Sequence, residues 1–375
     1  MSRGKRSLKT ADTAPSRMEN IAPRRLLASV AVLLCVLLLW GCGQSPEKEA
    51  DPKTAEEDKI VIGFSMDTLV HERWLRDRDI FVAKAKELGA EVILQIANSD
   101  RQEQEKQVQY LLDQGIDVLV LVPHDAVSAA GMVKKAKDKG IKVISYDRLV
   151  KNANVDLYLS FDNIKVGELM GEAAIEKRPQ GNYLLLNGSE SDNNSAMFRE
   201  GYMQMLDPGI QDGSIKIVGE TWIKDWLYEN ALAYMEEVMD QKPQIDAIIA
   251  GNDTLAGAAV HVLTEKRLAG KVIVVGHDAD LDGCQRVVEG TQSATVYKPI
   301  DIEATKGAEF AVAMARGRSV EANATINDGR YDVPYYKIEP LLVTKDNMMT
   351  TIIKDKFHSM EDVYMNVPKT DWPLK

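Results

Sequence analysis

Cysteine and histidine are scarce in this chain and a net positive charge is lacking, and each lack removes a class of function. Three cysteines in 375 residues leave no room for a disulfide framework. Cys35 lies in the N-terminal apolar run and Cys42 just beyond it, and Cys284 is then alone. The folded part must stand on its apolar core. Cys284, with no histidine or acid cluster arranged around it, reads as buried filler. The five histidines (His71, His124, His261, His277, His358) show no metal-ligand spacing, and no second histidine follows His71-Glu72 at helical spacing, so a metalloprotease helix is excluded. No Gly-x-Gly-x-x-Gly opens a helix after a strand, and no phosphate loop is present; Gly251-Asn252-Asp253 and Gly276-His277-Asp278 read as strand-end turns. A net charge of -11 argues against the basic face of a nucleic-acid binder.

Long apolar runs are missing too. Residues 26–40 form an apolar run shorter than the ~20 residues that a membrane-spanning helix needs. They follow seven Lys/Arg against two acids and end at Gly41-Cys42-Gly43, the pattern of a secretory signal over residues 1–41. Leu39-Trp40-Gly41-Cys42 resembles a bacterial lipobox, in which the cysteine is acylated and becomes the mature N-terminus. Removing a leader of net +5 leaves the mature chain at -16, so an anionic surface would not hold it to an anionic membrane, and the attachment would be lipid on Cys42. Residues 42–58 carry no apolar periodicity and read as a disordered lipoprotein tether.

What the chain does have is a regular alternation of strand and helix. The β-rich run 59–64 is followed by a helix with Trp74, Phe81, Ala85 and Leu88 at helical spacing, stopping at Gly89. A strand at 92–96 leads to the cap Asn98-Ser99-Asp100 and a further helix. The continuous apolar run 118–122 reads as a strand buried on both faces. The alternation continues through 142–146 and 158–161, and repeats from about residue 166 to residue 297. This is the signature of an α/β protein with two doubly wound parallel-sheet lobes. A long helix and short strands beyond Pro299 are expected to finish both sheets.

Polar residues collect where these strands end. Arg73 and Trp74 follow the first, Asp147 and Arg148 the fourth; Asn193-Asn194, Asn252-Asp253, His277-Asp278 and Tyr297-Lys298 follow strands of the second half. In open α/β sheets ligands sit beyond the carboxyl ends of the strands, so two such edges facing each other would gather these groups at one cleft. Acids, arginines, a lysine and amides are the directional donors and acceptors that a small polyhydroxylated ligand needs, since each buried hydroxyl left unmatched costs free energy. Trp222 and Trp226 lie near another strand end, where either serves as a core residue or stacks on the C–H face of a sugar ring. Asp147 and Asp278 are the one plausible pair for glycosidase chemistry, and the nearby arginine and lysine would keep both ionised, against the raised pKa that chemistry requires.

Several stretches together carry a family resemblance: His71-Glu72-Arg73-Trp74 with Asp77-Arg78-Asp79-Ile80, Tyr146-Asp147-Arg148, Ser160-Phe161-Asp162-Asn163, Asp192-Asn193-Asn194, Asn252-Asp253, Asp278-Ala279-Asp280 and Thr295-Val296-Tyr297-Lys298-Pro299. From Lys59 onward the chain resembles the periplasmic sugar-binding proteins of ABC importers. The resemblance implies a type I periplasmic-binding-protein-like fold with two lobes joined by a three-stranded hinge. The N-terminal lobe would take residues 59–164 and 298–333, the C-terminal lobe residues 165–297 and 334–375. It implies that Arg73, Asp147, Arg148, Asn194, Asn252, Asp278 and Lys298 hydrogen-bond a monosaccharide, D-xylose or a close aldose, while Trp74 and Trp226 sandwich its ring and Trp222 is structural. It implies no cofactor, no metal and no catalysis. The partner would be an ABC importer permease; the alternative is a sensor that presents the sugar to a membrane histidine kinase or chemoreceptor. A two-lobed transcription regulator would need an N-terminal helix-turn-helix where this chain has a signal and tether.

Overall fold

The computed structural model describes residues 59–241 and 244–373. The expected signal peptide, Cys42 and the tether lie outside the described residues. The first lobe opens with β1 (Ile60–Met66), α1 (Glu72–Glu87), β2 (Ala90–Ile96), α2 (Arg101–Asp113), β3 (Val118–Leu121), α3 (Ala130–Asp138), β4 (Lys142–Tyr146) and β5 (Leu157–Phe161). The second lobe takes α4 (Asn163–Lys177), β6 (Gly181–Asn187), α5 (Asn193–Asp212), β7 (Ile215–Trp222), α6 (Tyr228–Asp240), β8 (Ala247–Ala250), α7 (Asp253–Glu265), β9 (Ile273–His277), α8 (Leu281–Glu289) and β10 (Ala294–Tyr297). The chain then returns. α9 (Ile300–Ala315), β11 (Ala324–Asn327) and β12 (Asp332–Ile338) complete the first lobe, and β13 (Leu341–Val343) joins the second.

The first sheet has the order β11-β12-β5-β4-β3-β1-β2 and is parallel except for the β11–β12 hairpin. The second has the order β13-β10-β9-β8-β6-β7 and is parallel except for β13. β3 is buried along its whole length, as a strand covered by helices on both faces must be. The chain passes between the sheets three times, after β5, after β10 and after β12, which makes the three-stranded hinge. One expected boundary moves. β12 does not divide between residues 333 and 334, because residues 335–338 pair in parallel with residues 158–161 of β5 and hold the strand whole in the first sheet. The C-terminal segment packs on the second lobe, where Met348, Ile352, Phe357 and Val363 share a buried cluster with Val287 and Val288 of α8 and Tyr297 of β10.

The close crossing of α4 on α5 fixes one wall of the cleft, because α5 begins there. A Cβ on Gly201 would stand 2.0 Å from the carbonyl oxygen of Ile164, and one on Gly167 2.0 Å from that of Phe198. Backbone cannot yield as a flexible side chain can. Gly201→Ala is therefore expected to cost about 2–3 kcal/mol of stability through overpacking, read from the urea midpoint of the unliganded protein; a shift under ~0.5 kcal/mol would show that the crossing relaxes freely.

Candidate functional site

The two lobes place equivalent residues at equivalent points. Asp147 directly follows β4 and Asp278 directly follows β9, and both have positive φ, 58° and 97°. The Asp147 amide donates to the Leu159 carbonyl at 2.8 Å, and the Asp278 amide donates to the Val296 carbonyl at 2.9 Å. In each lobe the strand next in sequence holds the backbone of this turn. Tyr158 Oη (3.0 Å), Ser160 Oγ (2.6 Å) and Asn194 Nδ2 (3.1 Å) further donate to the Asp147 carbonyl. These bonds hold a left-handed turn at a non-glycine residue from both its amide and its carbonyl, the over-determination that such a conformation requires.

Both carboxylates meet buried cations. Arg73 Nη1 lies 2.8 Å from Asp147 Oδ2 and 3.8 Å from Asp278 Oδ1, while Lys298 Nζ lies 2.8 Å from Asp278 Oδ1. The remaining guanidinium atoms of Arg73 are occupied from behind: Nε contacts Asp77 at 3.2 Å and Nη2 contacts Glu303 of α9 at 2.9 Å. Arg148 reaches Asp67 at 2.7 Å and Asp192 of the second lobe at 2.9 Å. Burial alone would raise the Asp278 carboxyl, but Lys298, His277 and Arg73 outweigh it and hold the group well below the usual carboxylate range. The same contest, decided by Arg73, Lys298 and Arg148, lowers Asp147. Behind the site the balance reverses. Burial and the neighbouring Asp147 push Glu303 well up, and burial raises Asp77 to about 6 against the pull of Arg73. Asp147 and Asp278 thus face the cleft ionised, while Glu303 and Asp77, whose carboxyls are pushed up, sit behind Arg73.

Aromatic rings close the remaining sides. The Arg73 guanidinium lies 4.3 Å from the Trp74 ring centroid, and that of Arg148 lies 5.4 Å from it. Across the cleft, Trp226 is presented by the left-handed pair Asp225-Trp226 (φ 55° and 58°), rests against Gly188 and Gly251, and donates its Nε1–H to Asp192 at 3.2 Å. A Cβ on Gly188 would stand 2.0 Å from this ring, so only glycine leaves it room. Phe198 and His277 stand beside it, their rings 4.5 Å apart.

These elements line a small cavity between the lobes. All nine residues expected to hold a ligand line it: Arg73, Trp74, Asp147, Arg148, Asn194, Trp226, Asn252, Asp278 and Lys298. Asn252 is anchored as the cap of α7, its Oδ1 accepting from the Leu255 amide at 2.9 Å, and Asn194 bridges the lobes through Asp147. Trp222 stays outside the lining. Four residues join that sequence reasoning leaves out: His71, Asp192, Phe198 and His277. Asp192 and His277 adjoin selected residues and are reachable by the same strand-end argument. Phe198 lies one helical turn beyond Asn194 on α5 and has the look of core, and His71 opens the stretch His71-Glu72-Arg73-Trp74 but is assigned no contact by the resemblance. Among the described residues no group of acids, histidines and cysteines is arranged to hold a metal ion.

The lobes also touch outside the cavity. The Ala126 amide donates to the Ser191 carbonyl at 2.8 Å, the Leu281 amide at the start of α8 donates to Glu72 at 3.0 Å, and Arg76 donates to the Phe357 carbonyl at 2.7 Å. The two lobes thus stand closed on one another.

Comparison with known proteins agrees with this geometry. The "Periplasmic binding protein domain" family matches residues 62–319. A D-xylose-binding periplasmic protein of Haemophilus influenzae is 46% identical over 312 residues, 83% of this chain and 94% of that protein. Its namesake from Escherichia coli strain K12 is 45% identical over 310 residues, 82% of this chain and 94% of that protein. Among solved structures, a carbohydrate transporter solute binding protein from Chloroflexus aurantiacus in complex with D-glucose is similar with a TM-score of 0.76 at 28% identity, covering 81% of this chain and 98% of its own.

His71 gives the site a pH signature. Burial first, with Arg148 and Arg73 adding to it against Asp278 and Asp67, lowers its pKa to about 4. Below the unfolded value near 6.5, the unfolded chain takes up a proton that the folded chain refuses, so this contribution to stability falls as pH drops from about 6.5 towards 4. Asp77 and other buried groups titrate in the same range, so a difference between variants is the clean readout. The stability advantage of wild type over His71→Gln is expected to shrink by about 2–3 kcal/mol between pH 7 and 4.5 in urea unfolding; an advantage independent of pH would contradict the buried neutral imidazole.

Proposed function

The chain belongs to the periplasmic binding protein family, and on that premise we propose that it captures D-xylose or a close aldose between its lobes and passes it to an ABC importer. It acts outside the cytoplasmic membrane, as its relatives do, and as a binding protein rather than an enzyme. Lipid on Cys42 would tether it there. The observation that carries the ligand class is the pairing of opposed ionised aspartates, each on its own cation, with indole and phenyl rings in one small cavity. Asp147 and Asp278 accept from sugar hydroxyls, and Arg73, Arg148 and Lys298 donate to them. Trp74 and Trp226 take the apolar faces of the ring. Hydroxyls of a pyranose can then meet charged partners, and a charge-assisted hydrogen bond in a desolvated site is about twice as strong as a neutral one. The names of the two relatives at 45% identity or more favour D-xylose among the aldoses.

Affinity arises on closure, which removes water from the cavity, and release follows from reopening at the permease. No nucleophile is needed because no bond is broken.

Three measurements bear on this reading. Calorimetric titration of the folded part with pentoses and hexoses is expected to give its tightest binding with D-xylose; silence with xylose beside clear heat with glucose or ribose would overturn the specificity. Asp278→Ala should weaken that binding by about 2–5 kcal/mol by stranding Lys298 or a sugar hydroxyl, and an unchanged Kd would place the sugar elsewhere. Cys42→Ser should release the protein from the membrane fraction, whereas continued acylation and retention would rule out that anchor.

A further inference from the structure

His277 is a buried polar residue whose environment gives it little to do within the protein. It is 2% exposed at the wall of the cavity. Its ring packs against Phe198 at 4.5 Å and stands 6.2 Å from Trp226. Neither ring nitrogen has a hydrogen-bond partner: Nδ1 lies 3.1 Å from Asp278 Oδ1 but off the line of a bond, and Nε2 is unpaired. Burying an imidazole this way costs free energy that a phenyl or isobutyl group packed on Phe198 would not. A packing role therefore accounts for the ring but not for its nitrogens.

Among the other polar groups of the cavity, His71 meets Thr254 Oγ1 at 3.4 Å through Nδ1 and also leaves its Nε2 unpaired; the rest are one-sided or committed. Arg73, Arg148 and Lys298 only donate, and the ionised aspartates only accept. Asn194 donates to Asp147 and accepts from Asn163, and Asn252 Oδ1 serves α7. A sugar hydroxyl both donates and accepts, and so does a neutral imidazole. With a carboxylate oxygen 3.1 Å from Nδ1, the proton is favoured there, which leaves Nε2 as a lone-pair acceptor.

We propose that His277 contacts the bound monosaccharide directly, its Nε2 accepting from one ring hydroxyl and thereby setting which sugars the site prefers. This rests on the sugar-binding reading above and sharpens it. The aspartates recognise any hydroxyl in reach, and each keeps a buried cation at 2.8 Å whether or not a ligand hydroxyl is present. His277 has no such internal substitute, so a ligand lacking the matching hydroxyl leaves it buried and unpaired. Sites built this way reject the analogue that lacks the group more strongly than apolar pockets reject an added one.

The test is a cycle between variant and ligand. Wild type, His277→Phe, His277→Leu and His277→Gln are titrated calorimetrically with D-xylose, D-ribose and D-glucose, and with each monodeoxy analogue of whichever sugar wild type binds tightest. The expected result is that His277→Phe and His277→Leu lose about tenfold to a hundredfold affinity for the parent sugar, with unliganded melting temperatures close to wild type. They should no longer discriminate one particular deoxy analogue that wild type rejects, while still rejecting the others. His277→Gln, which keeps an acceptor, should regain most of the affinity. Two apolar replacements ensure that misfolding of one does not decide the matter. Parent affinity within twofold of wild type in the apolar variants overturns the proposal, as does a loss that leaves the discrimination of every analogue intact, since that is what a packing role would produce. If wild type binds no monosaccharide of the panel, the functional reading itself fails and the proposal falls with it.

Discussion

A guanidinium sealed from water needs acceptors for its nitrogens and a compensating negative charge, and Arg73 is the point where this demand organises the protein. Its partners come from four places: Asp77 one turn along α1, Glu303 from the returning helix α9, Asp147 from the end of β4, and at longer range Asp278 from the second lobe. Tyr146, the last residue of β4, donates its hydroxyl to Asp77 at 2.5 Å and so ties the sheet to the same group. Removing one partner of such a set leaves a buried charge unmatched, which costs far more than the intact pair contributes. The charges therefore act less as a source of stability than as a constraint on geometry: α1, α9 and β4 can sit together in one arrangement, and that arrangement aims Arg73 and Asp147 at the cleft.

The second lobe answers with a simpler pair, Lys298 on Asp278, built on the same strand-end turn. The lobes share a plan in which a left-handed aspartate follows a central strand and is held by the carbonyl of its neighbour. Because both turns stand at the carboxyl edge of their sheets, closing the lobes brings the two acids and three cations into one small volume. Nothing within either lobe would gather these groups; the topology does.

This explains what is legible in the amino-acid sequence and what is not. Apolar runs such as 118–122 and the cap at Asp100, whose carboxylate accepts from the Gln102 and Glu103 amides, are local signals and are met locally. The strand-end residues of the cavity are legible for the same reason, since topology converts a position in the chain into a position at the edge. Residues delivered by helix faces are not. Phe198 is indistinguishable from core, and Glu303 meets Arg73 across 230 residues of chain only because α9 returns to the first lobe. The choice between Trp222 and Trp226 is likewise closed to local reading. It turns on two successive left-handed residues, Asp225 and Trp226, and on glycines at 188 and 251 that admit the indole.

Closure has a further consequence for how affinity divides. Arg73 and Trp74 on α1 line the cavity, while Glu72 and Arg76 on the same helix bind the second lobe outside it, at the start of α8 and at Phe357. One helix thus serves both as ligand wall and as latch. The apparent affinity of a two-state receptor is its intrinsic affinity scaled by the fraction of the competent state. Contacts such as Glu72 with the α8 amide favour the closed state whichever sugar is bound, so they set strength without setting choice. Choice is left to the groups that meet the ligand itself, and most of those are already paired within the protein. Specificity in this site should therefore reside in the few cavity atoms whose hydrogen-bonding capacity the protein leaves unused.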